Sequence, residues 1–529
     1  MTKKRIQWMK LPLPRRSFLQ GASALAMAGV ASGAMPRLAW SASGGTLRSR
    51  TYADMRSLDP AFSQGVVDEE IQGPIYNKLI QFKPGPEWGW QLDAAAMIEQ
   101  PDPTHIKFAL RDDMGFTNGF GAMTAEDVKF SFERIIDESL ESTNKPDWGP
   151  LDHVETIGER EGTIVLNKPF QPLWALSLPY ITGNIVSKTA FEQAGGRIGT
   201  EPVATSGPYM HKSWEPKQKT TLVRSPDWKG QAPDFDEIQI FHIDDEKIAE
   251  IAFEAGEIDF TRVSLGSLER LKASPPENST IAEFPSLYYV WVGMNMDNPK
   301  LQNKKLRQAI QYAIDVPSII EASYFGVAKP STGIIAPGLV GNRPASMVPP
   351  EADFAKAKQL LDESGETNVK LTIAVLNKSV NVTTAQIIQA NLAQIGVELE
   401  VQLHEGATFW TLGDENAGEA WKDLELILNR YSMTPDPYYA TAWFTTDQVG
   451  VWNWERFRSA EFDKLHADAQ GELDNEKRAA MYRKAQDLME ESGAYRFITH
   501  EASPVIYRNT IKPALRPDGL PLLRYFKKA

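Results

Sequence analysis

Residues 369–404 read VKLTIAVLNKSVNVTTAQIIQANLAQIGVELEVQLH. Val369–Leu376 is an apolar run of strand length, and Thr384–Ile395 places its apolar side chains at helical spacing. That helix should stop at Gly396, because glycine accepts the left-handed conformation that commonly follows a helix end. Val397–Leu403 alternates apolar and polar residues as a half-buried strand does, and Leu424–Leu428 is a further short apolar strand. Strand, helix, strand at this spacing implies a right-handed crossover between parallel neighbours. The expected class is therefore α/β with mixed, mainly parallel sheets. Such sheets bind ligands outside the carboxyl ends of their strands, which directs the search for a site to the loops that follow them.

The same alternation of strand and helix extends outward in both directions. Ile106–Leu110 carries its large apolar residues at every second position. Thr124-Ala125-Glu126-Asp127 has the form of a capping box, with Asp where Glu or Gln is usual. Val128, Phe132, Ile135 and Ile136 then mark one face of a helix. A second amphipathic helix is expected near Asn303–Ile314, with Leu306, Ala309, Ile310, Ala313 and Ile314 on one stripe. A last long helix is expected over about Asn475–Glu491.

With 529 residues, 42% of them hydrophobic and 24% charged, the chain has globular composition and is too long for one ordinary core. Its net charge is −13, unevenly spread: residues 1–41 hold seven cations and no acid. Without them, 49 cations face 69 anions, a balance of −20 that repels nucleic acids and acidic lipid surfaces alike. The cationic head contains Arg15-Arg16 before Phe18-Leu19, a weakly apolar run from Gly21 to Ala34, and small residues at Ala39 and Ser41. This is the layout of a twin-arginine export signal over 1–41, and it is too rich in glycine, alanine and serine to be a membrane anchor. Cysteine is absent, which removes disulfides, thiolate metal sites, thiol nucleophiles and lipidated cysteine anchors. The expected product is a soluble periplasmic protein carried out of the cytoplasm, already folded, by the twin-arginine machinery.

Several stretches together resemble one family. They are Phe116-Thr117-Asn118-Gly119 with Thr124–Phe132, Ser206-Gly207-Pro208-Tyr209, Arg224–Trp228, Ala255–Asp259, Leu306–Asp315 and Pro435-Asp436-Pro437. In this order they are similar to the dipeptide, oligopeptide and nickel group (family 5) of bacterial extracellular solute-binding proteins. The loop Phe120–Met123 is longer than the family pattern. The resemblance implies a type II periplasmic-binding-protein flytrap, with two lobes closing on a hinge over the solute. Lobe one would comprise 44–286 with 500–529 and lobe two 290–497, with Tyr288–Asn295 and Tyr495–Ser503 crossing between them. It further implies a monomeric, cofactor-free receptor that captures peptides or a related small organic solute for the permease of an ABC importer.

Candidate ligand contacts follow from strand ends and aromatic spacing. Tyr431, Arg430 and Asp436 lie just after the strand ending at Leu428; Arg430 could pair a solute carboxylate, but surface solvation or an internal salt bridge is its commoner role, and Asp436 could hold a cation or simply form a turn. Trp452-Asn453-Trp454, if extended, presents both indoles on one side, and Tyr289 and Trp291 share that spacing on an expected crossing strand. Trp410 follows the strand ending near Leu403. All these aromatics have core packing as their alternative role. Peptide-binding relatives carry an acid three positions before the Asp of Asp-Pro to hold a free amine, a place occupied here by Met433. A peptide amine could still reach Asp436, so peptides lead as the solute class, with opines, sugars and metal chelates open behind them. Enzyme motifs are missing: the seven histidines are scattered without metal-binding spacing, and no GxSxG, GxxxxGK[ST] or GxGxxG run occurs. An exported redox enzyme and a sensory or chaperone receptor stand as the alternatives.

Overall fold

The computed structural model describes residues 45–63 and 65–529; the export signal expected over 1–41 lies outside the described residues. Local signals carried through closely. Thr124 caps the helix Ala125–Ile136: its hydroxyl accepts from the Asp127 amide while the Asp127 carboxylate accepts from the Thr124 amide. The stretch expected to fix the fold forms the strand Lys370–Leu376, the helix Ser379–Ala393 and the strand Glu398–His404, with Gly396 at φ 83° beyond the helix. The helix starts five residues before the expected Thr384, because Val380 also packs on the core beneath it. The helix Asn475–Glu491 is capped by Asp474, which accepts from the amides of Glu476 and Lys477.

Three sheets organise the fold. A seven-stranded sheet contains Thr46–Thr51 at its centre, flanked in parallel by Glu237–His242 and Phe260–Arg262. A six-stranded sheet holds Pro285–Met294, Leu426–Ser432, Lys370–Leu376 and Glu398–His404 as successive neighbours, with Tyr495–Ala502 on the other side of Pro285–Met294. A four-stranded antiparallel sheet (Ala95–Asp102, His105–Leu110, Leu151–Thr156, Glu161–Leu166) packs with the helix Ala125–Ile136 around Phe108, Phe132 and Trp148.

The expectation of mainly parallel sheets needs correction. The Thr46–Thr51 strand with its two flanking strands, and the Lys370–Leu376 strand with its two, are the parallel pairings among the described residues. All other pairings between strands are antiparallel, including those of both strands that link the sheets. The physical reason is that the strand by which the chain enters the six-stranded sheet runs back against both the crossover unit and the strand by which it leaves, while Tyr209–Glu215 with Lys219–Arg224 and both ends of the four-stranded sheet are hairpins.

Passage between the two large sheets occurs at two adjacent points. One sheet's strand Ser279–Ala282 leads into Pro285–Met294 of the other, and Tyr495–Ala502 leads back into Val505–Arg508. The Ser503 amide donates to the Phe284 carbonyl at 2.8 Å, which ties the two connections side by side. No helix among the described residues is long and apolar enough to cross a membrane.

Candidate functional site

Because Leu426–Ser432, Lys370–Leu376 and Glu398–His404 are mutually parallel, their carboxyl ends share one edge of the six-stranded sheet. The amino end of Pro285–Met294 and the carboxyl end of Tyr495–Ala502 lie at that same edge, since Pro285–Met294 runs the opposite way and Tyr495–Ala502, antiparallel to it, runs the same way as the other three. This is the edge from which the chain crosses to the seven-stranded sheet, so the loops after these strands look toward it.

A cavity of about 810 Å³ opens here. Its walls come from both sheets: Asp245, Glu246 and Arg262 follow or end strands of the seven-stranded sheet, while Lys378 and Ser379 open the helix after Lys370–Leu376. Tyr288, Arg430 and Glu501 come from the linking strands and their neighbour. Arg430 grips Glu501 with two hydrogen bonds of 2.8 and 2.6 Å and lies over the Tyr288 ring at 3.6 Å. Burial opposes its charge, yet the Glu501 carboxylate, helped by the Tyr288 and Tyr324 hydroxyls, outweighs burial and holds the guanidinium above its ordinary pKa. Arg430 therefore borders the cavity as half of an ion pair, and a solute carboxylate would have to share it.

Adjacent residues of a strand point to opposite faces, so Tyr431 and Tyr289 belong to the other side of the ribbon. There they join a cluster of rings. Trp291 stacks on Tyr289 with centroids 5.3 Å apart and meets Tyr431 edge-on at 4.9 Å. Tyr431 donates its hydroxyl to the Trp452 carbonyl at 2.8 Å, stacks toward Trp410 and meets Trp452 edge-on. Burial raises the Tyr289 and Tyr431 phenols far above their usual range, so both stay neutral.

The nine expected residues separate by exposure. Trp410 and Trp452 are 42% and 39% exposed and Arg430 reaches solvent, whereas Tyr289, Trp291, Tyr431, Asn453 and Trp454 are buried. Trp452 and Trp454 do not share a side as an extended segment would require. They sit in a turn held by Asn453, whose amide donates to the carbonyls of Phe444, Thr445 and Phe457. That turn sends Trp452 outward and seats Trp454 inward, where its indole donates to the Val451 carbonyl. Asp436 is 3% exposed; it caps the helix Pro437–Ala442 and accepts from Arg478 at 2.8 Å. Its charge is engaged within the fold, which places it with the turn role rather than at a free anionic position.

A family model of the bacterial extracellular solute-binding proteins, family 5 (middle region), matches residues 92–450. The chain belongs to that family. Among the relatives of this family 5 protein, the probable D,D-dipeptide-binding periplasmic protein DdpA of Escherichia coli (strain K12) is 26% identical over 465 residues, covering 84% of this chain and 86% of the relative. The ABC transporter substrate-binding protein CtaP from Listeria monocytogenes has a structure similar at TM-score 0.80 and 22% identity, over 92% of this chain and 99% of that one. The periplasmic binding protein DppA from Helicobacter pylori, solved in complex with the peptide STSA, is similar at TM-score 0.71 and 25% identity, over 92% and 98% of the two chains. These likenesses make the fold that of two-lobed periplasmic binding proteins.

Sequence reasoning about this family 5 protein passed over several residues at the site. Lys378 and Ser379 directly follow a strand end that the carboxyl-end rule had singled out, so their signal was present. Glu501, Arg262 and Tyr324 reach the cavity from positions remote in sequence, and no local pattern marks them. Trp443, half-buried and meeting Trp452 edge-on at 5.4 Å, lay unmarked within the helix cap that follows Asp436.

Proposed function

We propose that this protein captures a peptide, or a related small organic solute of similar size, between its lobes and presents it unchanged to the permease of an ABC importer. The observation that carries this reading is the cavity whose walls come from both large sheets and whose remaining side is the strand connection between them. A solute lodged there touches both sheets, so its binding energy favours closure over the open state. The walls carry charges of both signs, with Asp245, Glu246 and Arg262 on one and Lys378 on the other, which suits a solute bearing groups of both signs. The exposed indoles of Trp410 and Trp452, which do not line that cavity, offer a second surface for an apolar or planar part of the solute. The relatives named for dipeptide binding and solved with a tetrapeptide support the peptide class. The proposed lobe limits are 44–286 with 500–529 for one and 290–497 for the other, closing as a monomer.

Arg15-Arg16 and the small-residue run behind it support delivery to the periplasm by the twin-arginine route. Gently purified protein should carry one solute per chain, identifiable by mass spectrometry and recovered intact after release. Chemical turnover of that solute by the isolated protein would refute the receptor reading. Changing Arg15 and Arg16 together to Lys should leave full-length precursor in the cytoplasm; normal export of that variant would refute the route.

A further inference from the structure

Beneath the exposed tryptophans lies an acid that the binding reading does not use. Glu455 is fully buried, and among the described residues no cation pairs with it. The neighbouring Arg456 points away, to Asp297 and Glu415. The polar groups facing the carboxyl come from three strands: Trp291 and Tyr289 on Pro285–Met294, Tyr431 on Leu426–Ser432, and Tyr495 on Tyr495–Ala502. Burial pushes it up to about 7, against the weaker opposing pull of Trp291 and Tyr495.

Its geometry is specific. One oxygen accepts from the Trp291 indole N–H at 2.7 Å. Room for this contact exists because residue 293, two places along the same strand, is glycine: a Cβ there would come within 2.0 Å of the same oxygen. Trp291 in turn backs Tyr431, and Tyr431 is bonded to the Trp452 backbone and stacked toward Trp410. A fully buried acid without a cation is costly, and a buried tryptophan N–H needs an acceptor; here each meets the other's requirement in part.

We propose that Glu455 is the positioning residue of the solute-binding wall, its reach to Trp291 fixing Tyr431 and, through Tyr431, the two exposed tryptophans on which solute packs. This rests on the reading that the edge carrying Trp410 and Trp452 is the solute site. What matters under this proposal is the reach of the side chain rather than its charge. Glu455→Gln keeps an oxygen at the same distance, whereas Glu455→Asp keeps the carboxyl but withdraws it by one methylene.

The test measures two things on the full-length mature protein at pH 6: the near-ultraviolet circular dichroism of the ligand-free form, which reports coupled aromatic rings, and calorimetric affinity for trialanine. Glu455→Gln should preserve both. Glu455→Asp should alter the aromatic spectrum and weaken trialanine roughly tenfold, the loss expected when a supporting contact lets a site loosen. Gly293→Ala should reproduce the Asp variant by displacing the carboxyl without touching it chemically. If Glu455→Asp and Glu455→Gln match the wild type in spectrum and affinity, the proposal is overturned. If wild-type protein ignores trialanine, the peptide reading fails, and the spectra alone still decide whether Glu455 holds the wall.

Discussion

At the scale of single residues, burial separates side chains that look alike in the sequence. Trp452 and Trp454 stand two places apart, yet one is 39% exposed and the other 1%. Trp454→Ala should therefore cost about 3–5 kcal/mol of stability, the range for emptying a packed core aromatic. Trp452→Ala should leave the ligand-free melting curve nearly unchanged and weaken solute binding by about 1–3 kcal/mol, as for a binding aromatic. Calorimetric binding and thermal melting of both variants check the contrast. Asp436 makes a similar point. Its partner Arg478 is also buried, and Asp436→Asn keeps a competent helix cap but leaves that guanidinium without its anion. A loss of about 3 kcal/mol in denaturant unfolding is expected, the low end for breaking a buried pair from one side. Unchanged stability together with lost affinity for a cationic solute would instead return Asp436 to the cleft.

At the scale of elements, the capping box before Ala125–Ile136 does more than start a helix. The other Asp127 oxygen accepts from the Lys188 amide at 3.0 Å, so the cap also ties down a later helix, Lys188–Gln193. Thr124→Ala should cost about 1 kcal/mol, the usual loss of an N-cap. Asp127→Ala should cost more, because it frees donors on two elements; equal losses in denaturant titrations would show the second tie to be idle. Elements such as these were legible because their signals are local: an N-cap three residues from its partner, an apolar stripe, a glycine after the last turn. The helix Asn475–Glu491 matched its expected limits for the same reason. Where expectation failed at this scale, a turn had replaced an assumed extended segment, as at residues 452–454, and the Asn453 side chain at its centre had decided it through carbonyls outside the segment.

At the scale of the whole molecule, the six-stranded-sheet part and the four-stranded-sheet part touch directly. The Tyr439 hydroxyl donates to the Asp147 carboxylate at 3.1 Å, Phe170 meets Tyr438 edge-on at 5.5 Å, and the Gln171 amide donates to the Gln470 carbonyl at 2.6 Å. Burial raises Asp147 to about 7, although the Tyr439 and Thr182 hydroxyls pull it down. If the parts separate, water reaches this carboxyl and its pKa falls toward the ordinary range. The closed form then has the higher pKa, so closing takes up a proton, and closure loses free energy as pH rises from the ordinary carboxyl range through about 7. Solute affinity should accordingly be several-fold weaker at about pH 8 than at about pH 5.5, and Asp147→Asn should remove much of that slope. A slope as steep in the variant as in the wild type would exclude Asp147 as its source. The sequence by itself determined the α/β class, the crossover unit, the helix caps and the family, because each is written in residues close together or in ordered motifs. Only the tertiary structure decided the antiparallel majority of the sheets, the pairing of Arg430 with Glu501, the commitment of Asp436 to Arg478 and the burial of Trp291 over Glu455. Those outcomes depend on which distant segments share a surface, and hydrophobic periodicity carries no information about a partner's identity.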